Sequence, residues 1–111
     1  MKINNMQAVI FYNSVKELSR KRLPTDILFA LKYNFNVITP QVQTYEELRK
    51  SVVSEDGKIT PELEKLLMEE VEHNVKKIKK EDLKVVDNLS AGYDKLTLSD
   101  IDSISFMIEE G

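Results

Sequence analysis

Cysteine is absent, histidine occurs once, and glycine and proline occur three times each among 111 residues. Without thiols there can be no disulfide and no thiolate metal site, a composition suited to a reducing compartment. His73 alone cannot build a histidine metal cluster or support a nucleophile, base and orienter together. Its neighbours Glu69, Glu70 and Glu72 would allow a carboxylate–imidazole site, but a surface or half-buried histidine explains it with fewer parts. Gly57, Gly92 and Gly111 are too scattered to cradle a phosphate, and no Gly-x-Ser-x-Gly elbow is present. The carboxylates of Glu62, Glu64, Glu69, Glu70 and Glu72 lack the loop pattern of a calcium site and read as a solvated face. No apolar run approaches the ~20 residues that span a bilayer, and the start of the chain has no signal-peptide core. The expectation is a cytoplasmic protein, not an enzyme, with no catalytic residue, cofactor, metal or membrane contact.

What is present is a scaffold. The apolar residues of the stretch 24–53 fall at Ile27, Leu31, Phe35, Ile38, Val42, Tyr45, Leu48 and Val52. Steps of three and four place all of them on one face of a helix. Leu23-Pro24 breaks what precedes, and Pro24 suits a first helical turn. Pro40 should cost about 3 kcal/mol in a helix interior. The stripe nevertheless keeps its phase across it, so the spacing predicts one kinked helix, or two collinear ones restarted by Thr39 as N-cap.

Before this stretch, Asn4 or Asn5 can cap a helix running to about Lys21, with Met6, Val9, Ile10, Asn13 and Leu18 at helical spacing. The short break at Leu23-Pro24 folds that helix back on the long one as an antiparallel hairpin over residues 1–53. Ser54 to Lys58 is a polar turn containing Gly57, and Thr60-Pro61 caps a short helix through Leu63, Leu66 and Leu67. Leu67, Val71, Val75 and Ile78 are then spaced for a helix, while Val71, His73 and Val75 alternate as in a strand; periodicity does not decide. Leu83, Val85, Val86 and Leu89 anchor the next stretch, Ser90-Ala91-Gly92 reads as loop, and Thr97 to Asp100 resembles a capping box ahead of Ile101, Ile104, Met107 and Ile108.

The charge is uneven. Residues 1–53 hold eight Lys/Arg against four acids, a surplus of +4, and residues 54–111 hold eight Lys against fifteen acids, −7. Lys16, Arg20, Lys21 and Arg22 form a basic cluster. They dress a helix C-terminus, and would also support weak, salt-dependent nucleic-acid binding. Phe29, Tyr33 and Val37 form a second apolar face on the long helix, which either the C-terminal part or another molecule must meet.

Taken together, Leu23-Pro24, Tyr45-Glu46-Glu47-Leu48-Arg49, Leu66-Leu67-Met68-Glu69-Glu70-Val71-Glu72, Leu96-Thr97 and Phe106-Met107-Ile108-Glu109-Glu110 carry a resemblance. The chain resembles small proteins encoded by phages and prophages of Gram-positive bacteria. The resemblance spans nearly the whole chain, through core and cap positions rather than chemically diagnostic ones. It implies a short strand at about Glu70–Ile78, with His73 departing from the pattern, and a role in virion assembly or in handling the host.

The combined expectation is one mainly α domain, 1–111, with some β content. An antiparallel helical hairpin (1–53) carries a smaller C-terminal part (54–111) of short helices and one strand. It acts by protein–protein contact through Phe29, Tyr33 and Val37, as a homo-oligomer or against a phage or host protein, in the host cytoplasm or on the virion. The alternative is nucleic-acid binding through Lys16 to Arg22.

Overall fold

A computed structural model describes residues 1–52, 57–87 and 92–109. The first helix, α1 (Asn5–Leu18), begins at a capping box. The Asn4 side chain accepts from the Gln7 N–H at 2.8 Å, and the Gln7 side chain accepts from the Asn4 N–H at 3.0 Å. It stops one turn earlier than the expected Lys21, at Ser19, whose hydroxyl bonds back to the Lys16 carbonyl and competes with continuation of the helix. Its buried face is Asn5, Ala8, Phe11 and Leu18, while Met6 and Ile10 are exposed. Apolar residues surround most of this helix, and their count concealed which side meets the core.

The long helix α2 (Thr25–Val52) runs through Pro40 without interruption. A restart capped by Thr39 does not occur, because the Thr39 hydroxyl instead donates to the Phe35 carbonyl one turn back, at 2.6 Å. Ile27, Leu31, Ile38, Val42 and Tyr45 of the expected stripe are buried, Phe35 is half-buried, and Leu48 is exposed. α1 and α2 pack together as the anticipated hairpin, with Tyr12 stacked on Phe35 at 5.1 Å.

Thr60 caps α3 (Pro61–Met68) through its hydroxyl, with Pro61 at the first position. The expected strand from Glu70 to Ile78 is two short strands separated by an irregular stretch. β2 (Glu70–Glu72) pairs antiparallel with β1 (Lys2–Asn4), in the register Ile3 opposite Val71. β3 (Ile78–Lys79) pairs parallel with β4 (Ile108–Glu109). Each half of the segment thus has a partner from a different end of the chain, and one continuous strand could not reach both.

After β3 come a single helical turn, α4 (Lys80–Leu83), and a 3₁₀ turn. α5 (Leu98–Ile104) opens with the anticipated Thr97–Asp100 capping box and tightens into a 3₁₀ turn, so Met107 is buried and Ile108 enters β4. Phe106 drives edge-on into Phe11, ring centroids 5.1 Å apart, and joins the C-terminal part to α1. Gly57 and Gly92 both take positive φ, as turns require. The expectations for Val53, Ser54 to Asp56, Leu89, Ser90, Ala91 and Glu110 lie outside the described residues. Among the described residues, no helix is long and apolar enough to cross a membrane.

Candidate interaction surface

Two amides on the buried face of α2 decide where the C-terminal segment lies. Asn34 is fully buried. Its Nδ2 donates to the Lys76 carbonyl at 2.8 Å, and its Oδ1 accepts the Lys76 N–H at 2.7 Å. The side chain thus meets one residue as a neighbouring strand would, and Nδ2 also lies 3.4 Å from the Met107 sulfur. Two turns further on, Gln41 Nε2 donates to the Ile3 carbonyl at 3.0 Å and to Asn5 Oδ1 at 2.9 Å. Asn5 in turn donates to the Leu66 carbonyl at 2.7 Å.

That network fixes the role of His73. Both hydrogens of Gln41 Nε2 are committed, so Gln41 Oε1 is an acceptor, and His73 Nε2, 2.6 Å away, carries the proton. Burial lowers the His73 pKa below 6.5, the N-terminal ammonium lowers it further, and Glu72 opposes them. Glu72 is itself held below the usual carboxylate range by that ammonium, which bonds to it. His73 is therefore a clip between α2 and β2, its ring nitrogen engaged with an amide instead of a nucleophile. Among the described residues no group of three acids or histidines could hold a metal ion.

The Lys76 clamp shapes a groove of about 550 Å³. One wall is α2, with Asp26, Phe29, Ala30 and Tyr33; the other is the chain from Lys76 to Lys79. Phe29 is 62% exposed and Tyr33 43%, while Val37 is half-buried. Two of the three residues singled out for contact therefore stand open in the single chain. Three lysines (Lys76, Lys77, Lys79) and three acids (Asp26, Asp82, Glu109) surround them.

Lys16, Arg20 and Lys21 make side-chain contacts within the chain, and Arg22 contributes through its main chain. Lys21 pairs with Asp100 at 3.5 Å and donates to the Lys95 carbonyl at 3.2 Å. Arg22 and Asp94 exchange two bonds, from the Arg22 N–H to the Asp94 carboxylate and from the Asp94 N–H to the Arg22 carbonyl. Arg20 lies 3.8 Å from Glu17, and Lys16 sits over the Tyr12 ring. Burial pushes the Asp100 pKa up, but bonds from Thr97 and the Lys21 charge outweigh it and hold it below 3.8. The Lys21 and Arg22 contacts moor the loop before α5 to the stretch after α1.

No family model, curated protein or solved structure matches the chain. The groove has an aromatic wall, open to solvent, and a rim of both signs.

Asn5, Asn34 and Gln41 were not anticipated as positioning residues. The signal was available: Asn34 and Gln41 fall in phase with Ile27, Leu31, Ile38 and Tyr45, and a polar residue at a core position needs a partner.

Proposed function

We propose that this is a non-enzymatic phage or prophage protein that acts by protein–protein contact as a homo-oligomer, through Phe29, Tyr33 and Val37. Its setting is the host cytoplasm or the virion, in assembly or in inhibition of a host system. The observation that carries this reading is the exposure of Phe29 and Tyr33 side by side in a groove instead of singly on a polar surface. A two-fold contact presents the same patch to itself, so a rim holding three cations and three carboxylates meets its complement in a second copy. The phage setting draws its support from the resemblance of the chain's core and cap positions.

The test is light scattering coupled to size exclusion. The chain should run at a multiple of 12.8 kDa at micromolar concentration. Tyr33→Glu, at an exposed position, should leave the circular dichroism spectrum unchanged and reduce the mass to that of one chain. A folded Tyr33→Glu protein of unchanged mass would show that this face is not the contact.

A further inference from the structure

The segment from Glu69 to Lys80 reads Glu-Glu-Val-Glu-His-Asn and then Val-Lys-Lys-Ile-Lys-Lys. Its first half carries three acids and its second half four lysines, in a nearly mirrored order. When two such segments run antiparallel about a point between Asn74 and Val75, Glu69 faces Lys80, Glu70 faces Lys79 and Glu72 faces Lys77 of the other copy. Val71 then falls opposite Ile78.

The fold displays this segment rather than consuming it. It lies on α2, with β2 at one end and β3 at the other, fastened by the Asn34 bonds to Lys76 and the Gln41 bond to His73. All seven charged side chains are exposed. Of these, Glu72 alone has an ion-pair partner among the described residues, the N-terminal ammonium. Val71 is 42% exposed on β2, and the basic half forms one wall of the Phe29/Tyr33 groove.

We infer that the groove is filled by β2 of a second copy, the two 69–80 segments lying antiparallel about a two-fold axis beside Asn74 and Val75. Val71 of each copy enters the aromatic groove of the other, and the acids flanking it meet the lysines of the groove wall. The two copies of α2 then run antiparallel, with the Asn34 and Gln41 clamps on either side of the axis. This inference rests on the self-association proposed above and names the occupant of that face. A two-fold contact of this kind makes every favourable charge pair twice.

The experiment is a charge exchange. One variant carries Lys79→Glu and Lys80→Glu, the other Glu69→Lys and Glu70→Lys; Glu72 keeps its N-terminal partner in both. Each alone sets like charges against like across the axis and should run at the mass of one chain. Mixed in equal amounts, they restore opposite signs at all these positions and should run at twice 12.8 kDa, as the wild type should. The milder pair Lys79→Glu and Glu70→Lys serves if either double variant loses its circular dichroism spectrum.

Variants that each keep the dimer mass alone overturn the antiparallel pairing. If Tyr33→Glu still dissociates the protein in that case, the contact through the aromatic face stands and only its occupant is wrong. Folded variants that stay monomeric when mixed also overturn the pairing. A wild-type chain that is monomeric at high micromolar concentration overturns both readings together.

Discussion

Replacing Asn34 by alanine should cost far more than an average polar substitution. The side chain is fully buried and provides both hydrogen bonds of the Lys76 peptide groups. Two such bonds contribute about 1 kcal/mol each to net stability, and a main-chain group left without a partner costs up to about 3 kcal/mol where water cannot reach it. Lys76 lies at the surface, so water will compensate for part of that loss. The void left beside Met107 adds a further term. The expected loss is about 2–4 kcal/mol, from the two bonds as a floor and incomplete solvation as the excess. Asn34→Leu separates the contributions, since it fills the space while leaving Lys76 unpaired; it should still lose about 2 kcal/mol. Urea denaturation followed by circular dichroism gives the free energies, and hydrogen exchange reads the Lys76 amide directly. If both variants stay within about 1 kcal/mol of wild type, or the Lys76 amide keeps its protection, the clamp does not hold the segment in place.

Two further outcomes follow from α2 and its clip. The His73 pKa is depressed below 6.5 in the fold, so the unfolded chain binds the proton more readily. Stability should therefore be full above that value and fall as pH drops through it toward the folded pKa. Urea midpoints between about pH 7.5 and pH 5.5 should decline for wild type and stay flatter for His73→Gln, and equal slopes would remove His73 from the account. Pro40→Ala restores the N–H missing from the middle of α2 at an exposed position. It should raise the unfolding free energy by about 1–3 kcal/mol, and a loss of stability in the same urea titration would mean that the helix requires the proline's geometry.

Features set by a few adjacent residues were legible before the structure. The cap at Asn4 or Asn5, the Thr97–Asp100 capping box and the Thr60-Pro61 start are local, because donor and acceptor lie within one turn; the reciprocal Gln7 bond at Asn4 came only with the structure. The α2 stripe was legible because a period near 3.6 survives Pro40. The strands were expected only as one stretch, Glu70 to Ile78, and periodicity did not resolve them, because β2 exists only where β1 supplies its partner and β3 only where β4 does. Nothing in Glu70 to Lys79 identifies those partners. The buried amides were overlooked for another reason: a stripe defined by apolar residues passes over the polar positions between them. The second apolar face at Phe29 and Tyr33 was legible, whereas its exposure and its second wall, from Lys76 to Lys79, came into view only with the structure.

The polar character of these clamps bears on what the surface can do. Within Glu69 to Lys80 only Ile78 is buried, so apolar burial alone would hold the segment weakly and tolerate a slip along α2. Two amides bonding to single residues, Lys76 at one and His73 at the other, oppose a slip: a shift of one residue would break every bond at once, and a shift of two, which could restore the main-chain bonds of Asn34, would still lose the His73 bond. The seven charges are thus presented at set heights along the helix while their side chains stay in solvent. A surface that must match a partner charge for charge needs its register fixed before the partner arrives, or the cost of ordering it is subtracted from the binding energy. Removing Asn34 should accordingly weaken self-association as well as the fold, in a protein whose Phe29 and Tyr33 have not been touched.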